Sequence, residues 1–404
     1  MEQAGKWIIG SESVRMLELG HPWIIADSYT KRWPTGKAGQ IIPLSDDKGR
    51  FMATALLDPQ ERVVARVLSC QRIQLDRAWL TARIQAAVDL RRQHAELGDT
   101  NAYRLVNAEG DGLPGLTVDR YGDYLMVQAY CSGWQPHLKL VTQLLQELLK
   151  PAGIYEKSRP QKTRELEAVS DSKQYGRLLA GTPAPALLEV QENGLTFLVS
   201  LEQGLNTGLF LDQRRNRRDL MARCAGKRVL NLFAYTGAFS VAAAAAGASL
   251  VTSVDASPGY TEAAKANFAV NRLNPKKHEF IIGDCLKVLA DLARQKKSYD
   301  IILMDPPSFS TTAKSRFTTR GGTSDVVAAA LPLLTGGGLM ITSSNHQKVD
   351  VADYLKEVRR GAQQGDYNLQ VISLFGQPED FPYPVTFPEG RYLKYAVCVK
   401  TKIS

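Results

Sequence analysis

Cysteine is scarce in this chain. Five residues, Cys70, Cys131, Cys224, Cys285 and Cys398, are scattered without a Cys-x-x-Cys pair, so neither a disulfide framework nor a zinc site is written into the sequence. Long apolar runs are also lacking. No stretch approaches the roughly 18 uninterrupted apolar residues of a membrane helix, and the first apolar run, with Glu2 and Lys6 bracketing a polar start, is too short for a secretory signal. A cytoplasmic protein without a membrane partner is expected. Residues 231–237, which follow the first strand of the later α/β series, hold one glycine where the fingerprint of dinucleotide-dependent oxidoreductases needs three, which counts against that class. There is no internal repeat, and the one biased stretch, alanine-rich 241–248, reads as a tightly packed helix.

What is present is ordinary globular protein, with 44% hydrophobic and 23% charged residues over 404 positions. That length exceeds one core and predicts two or three domains. Lys and Arg number 50 against 41 Asp and Glu, a net charge of +9. Such a surplus favours a polyanionic partner through counterion release, without saying which polyanion.

Along the chain, five short apolar runs between residues 7 and 68 alternate with turn residues, as in a small, mostly β module. Residues 77–97 have helical periodicity. Residues 103–128 return to strand chemistry, with Gly110-Asp-Gly112 and Tyr121-Gly-Asp123 as hairpin turns. A helix is expected over 134–149, a loop over 157–175 and a linker at the proline-rich run 182–186. From about residue 191 strands and helices alternate, which predicts a parallel sheet with crossover helices. Its strands are expected at 228–233, 250–254, 279–282, 299–304 and 339–342, with a terminal antiparallel pair at 369–374 and 393–399.

Open α/β sheets bind ligands at the carboxyl ends of their strands, and four consecutive strand ends here carry suitable residues. The first is Asn231-Leu-Phe-Ala-Tyr-Thr-Gly237, where Gly237 permits close backbone approach ahead of a helix N-terminus. The second ends at Asp255, which suits a carboxylate accepting both hydroxyls of a ribose. The third ends at Gly283-Asp284, where a carboxylate can accept from an adenine amine. The fourth is Asp305-Pro306-Pro307-Ser308-Phe309, whose two prolines lack amide donors and leave carbonyls and a carboxylate exposed. A lone strand-end Asp is more often a helix cap than a ligand; four in ordered series are harder to dismiss.

This series resembles the class I S-adenosylmethionine-dependent methyltransferases. Two upstream segments, 206–214 and 103–119, together with His21-Pro22-Trp23, resemble the bacterial large-subunit ribosomal RNA methyltransferases with an N-terminal PUA domain. The resemblance implies an α/β protein: a β-rich PUA domain over 1–73, a mixed α+β central domain over 74–188, and a Rossmann-like catalytic domain over 189–404. S-adenosylmethionine is the implied cofactor, with no metal. The implied partner is RNA, either 23S rRNA or a large-subunit precursor, and a homodimer is left open. Carried over by position, Phe233, Tyr235, Thr236 and Gly237 line the methionine and sulfonium region. Asp255 holds the ribose, Asp284 the adenine, and Asp305 with Pro306 and Pro307 lies near the transferred methyl. Gln213 and Arg214 close the pocket, and the run from Arg214 and Arg215 to Arg218 touches RNA phosphate or is simply a solvated helix face. Phe309 stacks on the target base and Asn345 bonds its edge, or they are a packed aromatic and a turn residue.

The residues also bear on the acceptor atom. Methylation at cytosine C5 needs a thiolate that first adds to C6. Relatives place that cysteine after the fifth strand, where this chain reads Thr342-Ser-Ser-Asn-His346, or after the fourth, where it reads Asp305-Pro-Pro-Ser-Phe309. Neither holds cysteine, and Cys285, at the adenine end, reads as structural. A nitrogen target remains, and guanine N7 has an in-plane lone pair that needs no deprotonation; Asp305-Pro-Pro-Ser-Phe-Ser310 with Ser343-Ser-Asn345 resembles the family branch that makes 7-methylguanosine in 23S rRNA, and that resemblance favours N7. An exocyclic amine, a 5-methylcytosine product and an RNA-binding protein without turnover stay as alternatives.

Overall fold

The computed structural model describes residues 6–158, 174–307 and 322–402, with the backbone alone for 309–312, 315–318 and 402. The five N-terminal apolar runs become β1 (Trp7–Ile8), β2 (Trp23–Ile25), β3 (Ile41–Ser45), β4 (Phe51–Leu57) and β5 (Val63–Ser69), joined in the order β1-β3-β4-β5-β2. Between β1 and β2 lies α1 (Ser11–Glu18), which the sequence reading missed: it is eight residues long and buries only Leu17.

Next come α2 (Arg77–His94), capped by the Asp76 carboxylate, then β6 (Ala102–Asn107), β7 (Leu116–Tyr121), β8 (Tyr124–Ala129), α3 (Leu138–Leu149), β9 (Gly153–Lys157) and β10 (Gly176–Gly181). The strands form one sheet in the order β10-β9-β8-β7-β6. Gly122, with φ +60°, makes the two-residue turn between β7 and β8. Gly110-Asp-Gly112 departs from a tight hairpin. It lies in a 3₁₀ turn, Ala108–Asp111, because Asp111 accepts from the Asn107 amide and from Arg91 on α2. Gly110 itself has no room for a side chain, since a Cβ there would lie 2.0 Å from the Pro382 carbonyl oxygen. Of the expected 157–175 loop, 159–173 falls outside the described residues.

The proline-rich run is tied down rather than free: Ala184 donates to the Tyr155 hydroxyl at 2.8 Å and Pro183 accepts from Tyr124. Beyond it are the hairpin β11 (Leu188–Glu192) and β12 (Leu195–Val199), and α4 (Arg214–Met221). The last sheet follows, with β13 (Arg228–Leu232), α5 (Ala238–Ala245), β14 (Leu250–Asp255), α6 (Pro258–Val270), β15 (Glu279–Ile282), α7 (Cys285–Arg294) and β16 (Tyr299–Met304). A hairpin of β17 (Phe309–Thr312) and β18 (Ser315–Thr318) precedes α8 (Gly322–Ala330), β19 (Leu334–Ser344), α9 (Val351–Gln364), β20 (Tyr367–Phe375) and β21 (Lys394–Lys402).

This seven-stranded sheet runs β15-β14-β13-β16-β19-β21-β20. Its first five strands pair in parallel, and β21 pairs antiparallel with both β19 and β20, as expected for the terminal pair. The chain therefore leaves β13 in both directions, and the switch point lies between β13 and β16.

The three sheets are packed together. One apolar core takes in Ala102, Met126 and Tyr155 from the middle sheet with Val229, Ile301 and Val397 from the last. His21 and Trp23 of the N-terminal module pack edge-on against Phe387 at 5.4 and 4.8 Å, and Trp23 Nε1 donates to Glu109 at 2.8 Å.

Candidate active site

Every connection leaving the carboxyl ends of β13 to β16 faces one cleft of about 720 Å³. Loop 233–237, after β13, holds Phe233, Tyr235 and Gly237 at φ +59°, +53° and +77°. Two bulky residues in left-handed backbone within three positions store strain of the kind that clusters at working sites. Asp255, at the end of β14, fixes this loop: its Oδ2 accepts from the Tyr235 amide at 2.8 Å, while Oδ1 accepts from the Ser257 amide at 2.9 Å. The Tyr235 ring meets Tyr260 at 4.5 Å and Phe210 at 5.3 Å. Asp284, after β15, is both the N-cap of α7, accepting from the Lys287 amide, and a wall of the cleft. The bland and the functional readings of that carboxylate hold together.

At the far end stand Asp305, Pro306 and Pro307, after β16, and Asn345, after β19. Asp305 is held from behind. The Gln213 amide donates to Asp305 Oδ2 and to Ser343 Oγ, each at 2.9 Å, and its carbonyl accepts from Asn216 at 2.6 Å. Burial first, with the neighbouring Asp212 charge adding to it, pushes the Asp305 carboxyl up to about 6, against the Ser343 and Gln213 bonds that pull it down. Asp212 is raised too, by burial, and accepts from the Tyr392 hydroxyl at 2.8 Å.

Residues 111–386 match the model of the S-adenosylmethionine-dependent methyltransferases. The chain belongs to that family. Residues 8–70 match a PUA-like domain. Over 379 residues the chain is 33% identical to a protein named ribosomal RNA large subunit methyltransferase I from Yersinia pseudotuberculosis, covering 94% of this chain and 95% of that one. Among solved structures, SMU.776, assigned as a methyltransferase and solved in complex with SAH, superposes with a TM-score of 0.87 at 31% identity, over 98% of this chain and 99% of its own. A SAM-dependent methyltransferase assignment from Streptococcus mutans matches at 30% identity and TM-score 0.85, over the same shares of both chains.

The cleft suits this family's methyl donor: two strand-end carboxylates stand toward one end, a buried carboxylate at the other, and Phe233, Tyr235 and Tyr260 between. Nine residues singled out from sequence line it: Gln213, Phe233, Tyr235, Asp255, Asp284, Asp305, Pro306, Pro307 and Asn345.

Others depart from expectation. The close approach that requires Gly237 is to α6, where a Cβ would lie 2.7 Å from that of Ala264. Thr236 is buried and donates to the Gly208 carbonyl. Arg214 has no face for RNA: its side chain is 1% exposed and sits 2.8 Å from the fully buried Asp380. Arg217 is buried on Glu192, while the exposed Arg215 and Arg218 reach Glu379 and Glu96. The run is not a free basic patch: it has a buried pair, Arg214 and Arg217, and an exposed pair, Arg215 and Arg218. It is a clasp in which each arginine has an acid. The side chain of Phe309 lies outside the described residues. Sequence reading gave no role to Asp212, although it sits within the segment 206–214, nor to Asp380, whose partner is distant in sequence.

Proposed function

We propose that this methyltransferase modifies large-subunit ribosomal RNA, with guanine N7 as acceptor. The name of the Yersinia relative, the PUA-like match and the net charge of +9 support an RNA substrate. The three-part division at 73/74 and 188/189 is part of the same reading.

The observation that carries the acceptor atom concerns thiols. Of the described residues lining the cleft, Cys285 is the one cysteine. It opens α7 beside Asp284, away from Asp305, and is 9% exposed; burial pushes its thiol far up, so no thiolate is at hand. Asp305-Pro306-Pro307 and Ser343-Ser344-Asn345 offer carbonyl, carboxylate, hydroxyl and amide groups only. Such a site cannot add to C6 of a pyrimidine, but it can position a ring nitrogen that already has its lone pair.

S-adenosylmethionine, when bound, supplies an electrophilic methyl on a cationic sulfur. Asp255 accepts the ribose hydroxyls, Asp284 the adenine amine, and Phe233 and Tyr235 cover the amino-acid end. Ionised Asp305 complements the positive charge, with Gln213 fixing its direction and Tyr392 fixing Asp212 behind it. Asn345 meets the edge of the base and Phe309 its face. No side chain need take a proton in the transfer step.

Nucleoside mass spectrometry on 23S rRNA from a deletion strain tests this. Loss of 7-methylguanosine, restored by adding wild-type protein or Cys285→Ser, is expected. Loss of 5-methylcytidine instead overturns the acceptor assignment, and an unchanged nucleoside profile overturns the substrate.

A further inference from the structure

A second cleft, of about 790 Å³, opens beside the first. Asn206, Phe210, Asp212, Pro307 and Asn345 border both. The N-terminal sheet, the middle sheet and the segment ahead of β21 contribute to it: Arg66 comes from β5, Thr117 and Gln128 from β7 and β8, and Tyr392 from that segment.

Its lining is unlike that of a phosphate site. Three cations, Arg66, Arg104 and Lys157, are set against four carboxylates. Arg104 is engaged by Asp119 and Asn107, and Arg66 stands 3.6 Å from the fully buried Asp58. What the cleft has in excess is aromatic surface. Among the described residues the exposed aromatic side chains are Tyr29, Tyr130, Phe210 and Tyr383, and the last three all stand here. Exposed rings gathered in one concave place, with little free positive charge, match the faces of unstacked bases rather than the backbone of a duplex. On the wall, Thr117 Oγ1 and Arg66 Nε each lack a protein partner, a rare state for buried polar atoms.

We infer that this second cleft receives unstacked nucleosides of a single-stranded RNA segment, with Phe210 at the shared wall facing the target base and Tyr130 and Tyr383 stacking its neighbours. The inference rests on the RNA substrate proposed above. It deepens that reading by placing recognition of flanking bases within the cleft, where the N-terminal and middle sheets meet the segment ahead of β21. Asp212, held by Tyr392, then presents an acceptor at the point where the two clefts meet.

The test uses the full chain saturated with SAH and a fluorescent single-stranded oligoribonucleotide of mixed sequence, read by anisotropy. Tyr130 is 49% exposed and its hydroxyl only donates to Gln128, so its variants should fold as the wild type does. Tyr130→Ala should weaken oligonucleotide binding by about fivefold or more. Tyr383→Ala should weaken it too. Tyr130→Phe should keep it, and SAH affinity should be the same in all. The ratio between wild type and Tyr130→Ala should hold as salt is raised, because bases rather than phosphates are lost. Unchanged affinity in both alanine variants, or equal loss in Tyr130→Phe, overturns the inference. Parallel methylation of 23S rRNA separates it from the function. Methylation with alanine variants that bind normally sinks the stacking cleft alone. Oligonucleotide binding that falls in Tyr130→Ala, with no methylation of any rRNA by the wild type, sinks the proposed reaction alone.

Discussion

Replacing Gln213 by glutamate keeps the length of the side chain and converts a donor into a second acid. In the wild type, the Gln213 amide lies 2.9 Å from Asp305 Oδ2, and the Asp305 carboxyl is pushed up to about 6. The ionised form is the one that complements a sulfonium, so kcat/KM for the methyl donor should rise with pH through that value, kcat/KM reporting the free enzyme. In Gln213→Glu a hydrogen bond to a charged acceptor, worth about 1.5–3 kcal/mol, is lost. That alone moves the acid limb up by roughly 1–2 pH units. Repulsion between two carboxylates at this distance adds to it, and the pair then holds one shared proton well into neutral pH. Methyl transfer from labelled S-adenosylmethionine, followed from pH 5.5 to 9 with melting temperature as a control, measures the shift. The variant should be nearly inactive at the pH where the wild type is half-active, and should recover in alkali. A limb that coincides with the wild type would refute the role given to Asp305.

Two further outcomes concern the fold around the cleft. Glu192→Gln leaves Arg217, 2% exposed, without its acid at 2.6 Å, so stability should fall by about 3–5 kcal/mol in urea titration; a smaller loss would mean that water reaches the pair. Gly237→Ala meets both a φ of +77° and Ala264 at 2.7 Å; added Ala264→Gly should relieve the clash and leave a residual loss of about 1 kcal/mol from the backbone, and full rescue would show that φ carries no cost.

The last sheet was legible from sequence because each β-strand is an apolar run ending in a functional punctuation mark. The reading of 279–282 and 299–304 matches β15 and β16 residue for residue. The carboxylates at strand ends were equally visible, since Asp255, Asp284 and Asp305 sit at fixed places in a repeating βα unit. What failed was anything set by partners far along the chain. Arg214 to Arg218 look like an RNA-binding stripe until Asp380, Glu192 and Glu96 are brought to them by packing. Gly110 looks like a hairpin residue until the Pro382 carbonyl arrives above it. Gln213 lines the cleft, but its bonds to Asp305, Ser343 and Asn216, which make it a bracket for Asp305, could not be read from the sequence. Burial and long-range pairing leave no periodic mark in the sequence, whereas strands and their ends do.

The packing of His21 and Trp23 against Phe387 and Glu109 makes the N-terminal module a fixed gauge rather than a tethered arm. The span from that module to Asp305 is set by bolted side chains and does not stretch with a linker. A partner held by the module would therefore be measured off by length: shifting the held point by one step would bring a different part of it to the cleft, and selection of the site would be partly a matter of distance.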